Sequence, residues 1–288
     1  MALLGTGIMG AGMARSMRRA GLPVRVWNRT GERARALASE GVTVCEIAEE
    51  AVRGADIVMT MLADGPAVHD AMTLSSPGFR EGQVWAQTST VGVASLDRLA
   101  GLARDYGLVF VDAPVLGTRQ PAERGELTVF AAGPDGSGAR LRALLTPVFE
   151  AIGQRTLWLG QVGQATRLKL AANSWVLALT NAVGESLALS RGLGLDPELF
   201  LQVIAGGPTD CQYLHVKARA ILTGDLTPSF SAALAGKDAR LITEAAETAG
   251  LRLDVAAAGA ERFRRTAELG HGEEDMAAVY FASFDSTR

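Results

Sequence analysis

Only three of the chain's 28 basic residues are lysines: Lys169, Lys217 and Lys237. Arginine serves almost everywhere that a fixed cation is enough. A lysine therefore stands out, because its ammonium can lend a proton and a guanidinium effectively cannot. Lys169 lies early in an apolar, helix-forming stretch. Burial there would lower its pKa and ready its proton for an oxygen that gains negative charge. Asn173 follows at i+4 and shares the same helical face. Its amide can orient the ammonium or hold a substrate oxygen without adding charge. The plainer alternatives are a Lys169 that snorkels to solvent, or one that pairs with a carboxylate such as Glu185 or Asp238. Lys237 opens another helical stretch with Asp238 beside it, and a surface ion pair is its plainer reading. Lys217 belongs to no motif and reads as solvated, and His215 reads as a helix-surface residue.

A second constellation lies at the start of the chain. Residues 5–10 read GTGIMG, so Gly5, Gly7 and Gly10 satisfy G-x-G-x-x-G, with an apolar run before them and a helical stretch after. The first glycine permits a tight turn. The second lets the backbone approach a pyrophosphate, and the third lets helix pack on strand. Free N–H groups at the helix start, from Thr6, Ile8 and Met9 onward, then face the phosphates. The pattern gains its force from a second strand at the right distance, and it points to a bound dinucleotide. That second strand ends in Asn28, Arg29 and Thr30, where an Asp or Glu would hold the ribose 2′-hydroxyl of NAD. Two neutral hydrogen-bonding groups and a guanidinium suit a 2′-phosphate instead, so NADP(H) is the expected cofactor. The alternative is that Arg29 is a solvated loop charge and both dinucleotides are accepted.

These residues need elements to hold them. Apolar runs at Ala2–Leu4, Pro23–Trp27, Val42–Val44, Ala55–Met61, Gln83–Gln87, Leu108–Val111, Leu127–Ala131 and Thr156–Leu159 read as strands. Helical stretches at Ile8–Ala20, Glu32–Ser39, Ala94–Asp105 and about 137–150 lie between them. This alternation predicts βαβ units and a parallel sheet. From Gln164 to about Arg191 there is no proline and one interior glycine, which predicts a single long helix. Every later periodic segment is helical: a stretch from Pro197 behind Asp196 as cap, then Asp210–Leu222, Ser231–Ala249, Asp254–Leu269 and Glu273–Ser283. The expected architecture is an α/β domain over 1–161 and an all-α domain over 162–288, begun by the long interdomain helix. Trp175 on that helix reads as core or interface packing.

Composition closes off other classes. The 288 residues carry a net charge of −3, so nothing announces nucleic acid or an anionic membrane. The two cysteines, Cys45 and Cys211, lie far apart, and three histidines show no ligand spacing, so no metal site is expected. No apolar stretch reaches the ~18 residues of a spanning helix and no signal-peptide pattern opens the chain. A soluble cytoplasmic globular protein is expected. Its helical half is rich enough in apolar helices to suggest burial against another copy, as a homodimer or homotetramer.

Seven motifs in order then carry a family resemblance over nearly the whole length. They are GTGIMGAGMARSM (5–17), NRT (28–30), MLAD (61–64), TST (88–90), DAPVLGT (112–118), GQVGQATRLKLAAN (160–173) and KDARL (237–241). Together they resemble the β-hydroxyacid dehydrogenase family, which includes 3-hydroxyisobutyrate dehydrogenase and, more remotely, imine reductases. The segment at 121–133 is similar to the glyoxylate/succinic semialdehyde reductase branch. The resemblance implies a Rossmann-type domain that binds NADP and a helical domain that helps bind a small carbonyl substrate. It assigns Met61, Leu62 and Ala63 to a loop over the cofactor, and Ser89 and Thr90 to the nicotinamide ribose or carboxamide, where turn capping is the plainer reading. It brings Lys237 close to the cofactor, and it places Leu116, Gly117, Thr118, Phe230 and Asp238 with Lys169 and Asn173 around the substrate. Leu116 departs from the pattern, since the family usually has a serine there that helps hold a substrate carboxylate. Either the substrate end is more apolar, or the grip on a carboxylate is weaker, or Leu116 simply faces the core. The resemblance implies NADPH-dependent reduction of a small aldehyde or oxo acid. The alternatives are oxidation of a 3-hydroxyacid, imine reduction, or an NADP-binding sensor without catalysis.

Overall fold

The computed structural model describes residues 1–134 and 138–284. The chain divides into two compact units, residues 1–170 and 171–288. The first unit alternates strands and helices: β1 (Ala2–Leu4), α1 (Ile8–Arg19), β2 (Arg25–Trp27), α2 (Gly31–Arg35), β3 (Thr43–Val44), α3 (Ala48–Val52), β4 (Ile57–Thr60), α4 (Gly65–Ser75), β5 (Val84–Gln87), α5 (Val93–Asp105), β6 (Val109–Asp112), β7 (Val115–Leu116), α6 (Arg119–Arg124), β8 (Leu127–Gly133), α7 (Gly138–Ile152) and β9 (Gly153–Gln161).

The sheet order is β3-β2-β1-β4-β5-β6-β8-β7, with β9 paired to β8. β1 to β6 run parallel, as the alternation predicts. β8 runs antiparallel to β6 and β7, so the sheet is mixed at that end. The order reverses between β1 and β4, and a doubly wound sheet opens its ligand crevice there, beyond the carboxyl ends of the strands. Side chains alternate across this sheet. Leu3, Val26, Met59, Ala86 and Val111 point to one core with Met13 and Met17 of α1 and Leu145 of α7. Their neighbours Leu4, Trp27, Val58, Trp85 and Phe110 point to the other, against α3, α4 and α5. Burial on both faces explains why the strands read as short, nearly unbroken apolar runs.

The long helix α8 spans Gln164–Gly192, starting in the first unit and continuing in the second. The second unit adds α9 (Pro197–Ile204), α10 (Gln212–Thr223), α11 (Ala232–Thr248) and α12 (Asp254–Thr266), followed by a 3₁₀ segment at Met276–Ser283. Asp196 and Ser231 cap α9 and α11 through their side chains. A core forms from Val183, Leu187, Leu214, Ala218 and Tyr280. Among the described residues no helix is long and apolar enough to cross a membrane.

Two expectations change here. Lys217 is not solvated: it is buried and its Nζ lies 2.7 Å from Asp275 Oδ1. It occupies the inward stripe of α10 with Leu214 and Ala218, which only a partnered charge can do. Trp175 is not core, being 66% exposed on α8.

Candidate active site

The glycine loop lies between β1 and α1, and steric contact dictates two of its residues. Gly5 has φ +104°, and a Cβ there would fall 2.2 Å from the Met61 carbonyl oxygen. A Cβ on Gly10 would fall 2.0 Å from the Gly5 carbonyl. Gly7 is different, with no atom within 4 Å of where its Cβ would stand. The open side of the loop is therefore at Gly7. Helix α1 starts there with no side-chain cap and no acidic residue in its first turn. Thr6 Oγ1 is buried without a hydrogen-bond partner among the described residues. Uncapped amides, an orphaned hydroxyl and an open glycine fit phosphate oxygens. Ile8 and Met9 begin the helix, Ile8 exposed and Met9 partly so.

Asn28, after β2, is a bridge. Its Oδ1 accepts the Thr6 N–H at 3.0 Å and its Nδ2 donates to the Thr30 carbonyl at 2.9 Å. The phosphate loop and the turn that would meet the ribose are thus one rigid piece. Arg29 and Thr30 are exposed, and Arg29 has no ion-pair partner among the described residues. Four residues on, Arg33 is a second exposed cation without a carboxylate partner among the described residues, whereas Arg35 pairs with Glu46. Sequence reasoning passed over Arg33, although its spacing from Arg29 was the available signal.

The loops after β4 and β5 are joined through Ser89. It is fully buried, and its hydroxyl accepts the Leu62 N–H at 2.9 Å and donates to the Thr60 carbonyl at 3.3 Å. Gln87 closes the turn onto the Ser89 backbone from both sides, at 2.8 Å each. Ser89 thus holds the loop together, while Thr90, Met61 and Leu62 are partly exposed and Ala63 is exposed. Asp64 caps α4 by accepting from Ala67 N–H at 2.8 Å.

Beyond β6, Val115 points into the core and Leu116 alternates to the opposite side. Leu116 is partly exposed and lies outside both hydrophobic clusters, which disfavours the core-facing reading. Gly117 has φ +136°. Thr118 precedes α6 without capping it through its hydroxyl.

Asp112, the last residue of β6, had no assigned role from sequence. It is fully buried and accepts three hydrogen bonds from the start of α8: Gly163 N–H to Oδ2 at 3.0 Å, Thr166 N–H to Oδ2 at 2.9 Å and Thr166 Oγ1 to Oδ1 at 2.7 Å. Burial raises its pKa, and the hydrogen bonds from Thr166 and Gly163 offset part of that rise. Three residues on stands Lys169, 6% exposed and so not a snorkelling side chain. Glu185, one of its candidate partners, instead pairs with Arg262 at 2.9 Å.

In the second unit, Asn173 Nδ2 donates to Asp238 Oδ2 at 2.7 Å. Asp238 Oδ1 lies 2.7 Å from Lys237 Nζ. Asn173 and Asp238 are buried and Lys237 nearly so, which makes this more than a surface ion pair. The segment before α11 is anchored by Asp275, which accepts from Ser229 N–H at 2.9 Å and Ser229 Oγ at 2.6 Å. Phe230, next in line, is partly exposed, and its carbonyl accepts the Met276 N–H at 2.8 Å. His215 is exposed and sits 2.6 Å from Asp210.

A doubly wound sheet with an open glycine loop at its switch point defines a dinucleotide-binding protein, here with a helical unit appended. Residues 1–160 match the family described as the NAD binding domain of 6-phosphogluconate dehydrogenase. Residues 163–282 match that described as NAD-binding of NADP-dependent 3-hydroxyisobutyrate dehydrogenase. Glyoxylate/succinic semialdehyde reductase 1 of Arabidopsis thaliana is 30% identical over 283 residues, covering 96% of this chain and 95% of the relative. The human cytokine-like nuclear factor N-PAC is also 30% identical, over 97% of this chain and 50% of its own length. A Mycobacterium tuberculosis 3-hydroxyisobutyrate dehydrogenase solved with L-serine superposes with TM-score 0.85 at 27% identity, covering 99% of this chain and 98% of its own. The chain belongs to the 3-hydroxyisobutyrate dehydrogenase-like family of NAD(P)-dependent hydroxyacid dehydrogenases.

Proposed function

We propose that the chain is an NADPH-dependent reductase of small aldehydes or oxo acids, of the glyoxylate or succinic semialdehyde type. The observation that carries this reading is Lys169: a rare lysine, buried, on a helix whose first turn is bound to the carboxyl end of β6, with Asn173 one turn later. NADPH, when bound, supplies the hydride. The remaining chemistry belongs to the chain. The amides at Gly7–Gly10 and the Thr6 hydroxyl hold the pyrophosphate, and Met61–Ala63 and Thr90 line the nicotinamide end. Arg29, with Arg33, pairs with a 2′-phosphate, which favours NADP over NAD. Lys169 gives its proton to the carbonyl oxygen as that oxygen gains charge. The family resemblance assigns Lys237 to the nicotinamide end and Leu116, Gly117, Thr118, Phe230 and Asp238 to the substrate, and those roles are proposed for this chain.

An NADPH-oxidation screen over glyoxylate, succinic semialdehyde, tartronate semialdehyde, methylmalonate semialdehyde, simple aldehydes and cyclic imines tests the reading. Turnover of semialdehydes or glyoxylate supports it, and turnover of imines alone overturns it. Binding of NADPH with no turnover of any carbonyl overturns it too, in favour of a sensor. The second reading, a 3-hydroxyacid dehydrogenase working oxidatively, draws support from the mycobacterial relative at 27% identity. NADP reduction by 3-hydroxyisobutyrate in the absence of carbonyl turnover favours it.

The reading includes a second copy of the chain as partner. On α8, Trp175, Ala182 and Leu189 are exposed at heptad spacing and make an apolar stripe, with exposed Leu193 just past the helix end. A two-fold related copy offers the same stripe in return. Trp175→Glu is expected to shift the mass measured by light scattering toward the monomer, and an unchanged mass rejects this face.

A further inference from the structure

We infer that Asp112 and Thr166 form a positioning pair that sets the rotation of helix α8 and thereby aims Lys169. This inference rests on the reading of Lys169 as the proton donor.

The argument starts with the donors. Helix starts leave four N–H groups without partners inside the helix, and one nearby side chain generally satisfies one or two of them. Here the cap comes from 54 residues away in sequence, at the end of β6. Its two oxygens receive three donors, one of which is a hydroxyl on the helix itself. A backbone N–H alone would fix where the helix begins. The added Thr166 Oγ1 bond fixes its rotation as well, because that hydroxyl projects from one side of the helix only. Both oxygens are engaged, so the carboxylate plane is fixed too.

Helix geometry then carries this constraint to Lys169. At 3.6 residues per turn, a residue three positions on stands within about 60° of Thr166 around the axis and about 4.5 Å further along. Thr166, Lys169 and Asn173 are buried in succession, with Arg167, Leu168 and Ala171 exposed between them. A small rotation at Thr166 is magnified at the tip of a lysine side chain. A misplacement of about 1 Å at a reacting group can cost about a hundredfold in rate. The cap is also made of a buried charge, where an uncharged Asn or Ser would satisfy amides at less desolvation cost. Rigidity and a full set of acceptors are what the carboxylate adds.

Thr166→Val, Thr166→Ser and Asp112→Asn in the full chain test this, assayed with NADPH and succinic semialdehyde beside Lys169→Ala. Thr166→Val keeps the amide bond and loses only the rotational one. Its kcat is expected to fall about ten- to hundredfold, with the NADPH Kd, read by fluorescence titration, within about twofold of the parent. Thr166→Ser should restore kcat. The isotope effect from 4-deuterated NADPH should grow in Thr166→Val, because a misaimed donor slows the chemical step and not product release. A purely structural cap would lower Tm and leave kcat and the isotope effect unchanged at 25 °C, and that result overturns the inference. Asp112→Asn should resemble Thr166→Val, and if it does not fold the threonine pair decides alone. If Lys169→Ala keeps parental turnover, the proton-donor reading fails and takes this inference with it. If Lys169→Ala is inactive while Thr166→Val is unimpaired, only the positioning inference fails.

Discussion

The side-chain amide of Asn173 points its nitrogen at Asp238 over 2.7 Å. A carboxylate can only accept, so this contact decides which way the amide is turned. The Asn173 oxygen is then left as the acceptor. An acceptor is compatible with the proposed role of orienting an ammonium one turn back, whereas a substrate carbonyl would need a donor. Asp238→Asn would let the amide turn over. We expect that variant to lose about ten- to hundredfold in kcat with a smaller change in KM for the carbonyl.

Lys169→Ala removes the proposed proton donor and leaves the phosphate loop intact. General acid catalysis is worth about 10²–10⁴-fold, and kcat for NADPH oxidation should fall by that order. NADPH affinity, measured by fluorescence titration, should stay near the parent value. A variant that keeps turnover would show that the proton comes from elsewhere.

Arg29→Ala separates the two dinucleotides. The guanidinium is exposed beyond β2, with no carboxylate of the described chain competing for it. A charge-assisted hydrogen bond is worth about 1.5–3 kcal/mol, so kcat/KM with NADPH should fall about ten- to hundredfold. With NADH it should change little. Equal losses with both would remove the 2′-phosphate argument and leave Arg29 a solvated charge.

How much of this was legible in the sequence follows from how far each constraint reaches along the chain. The glycine loop was legible because its contacts are local: Gly10 is required by the carbonyl of Gly5, five residues earlier. The long helix was legible because no proline and only one interior glycine interrupt the stretch from Gln164 to about Arg191. The two-residue β7 and the six-residue α6, with Pro121 inside it, were not, because neither is long enough to show a period. Asp112 was legible only as the first letter of a motif. What it does depends on amides 51 and 54 residues later. Lys217 was misread because its partner, Asp275, is 58 residues away. Its place between Leu214 and Ala218 on the apolar stripe of α10 was the signal that could have corrected the reading.

The Lys217–Asp275 pair is the expected weak point of the second unit under acid. Burial acts to raise the Asp275 carboxyl, but the Lys217 ammonium and the hydrogen bonds from Lys217, Ser229 and Ala277 outweigh it and hold the carboxyl below its usual range. A carboxyl depressed in the folded state contributes stability that is full above its unfolded pKa and is lost as pH falls through its folded one. Tm should therefore decline as pH drops below the ordinary carboxylate range, and Asp275→Asn should flatten that decline. At neutral pH, breaking the pair through Lys217→Met alone should cost about 3–5 kcal/mol, because it strands a buried charge. Adding Asp275→Asn to Lys217→Met should recover part of that loss, and urea unfolding of the three variants checks the order.

Leu116 is proposed to lie at the substrate. It lies at the end of β7, partly exposed and outside both cores, beside the turn at Gly117. An apolar side chain there offers no hydrogen bond to a carboxylate, so Gly117 and Thr118 are the remaining polar partners on that turn. Leu116→Ser adds one hydroxyl at the substrate border without disturbing either core. A neutral hydrogen bond contributes about 0.5–1.5 kcal/mol, so kcat/KM for glyoxylate or succinic semialdehyde should rise about two- to tenfold. For a neutral aldehyde of similar length it should stay level or fall, as apolar contact is lost. The ratio of the two is the measurement, and a ratio unchanged from the parent would show that Leu116 does not meet the substrate.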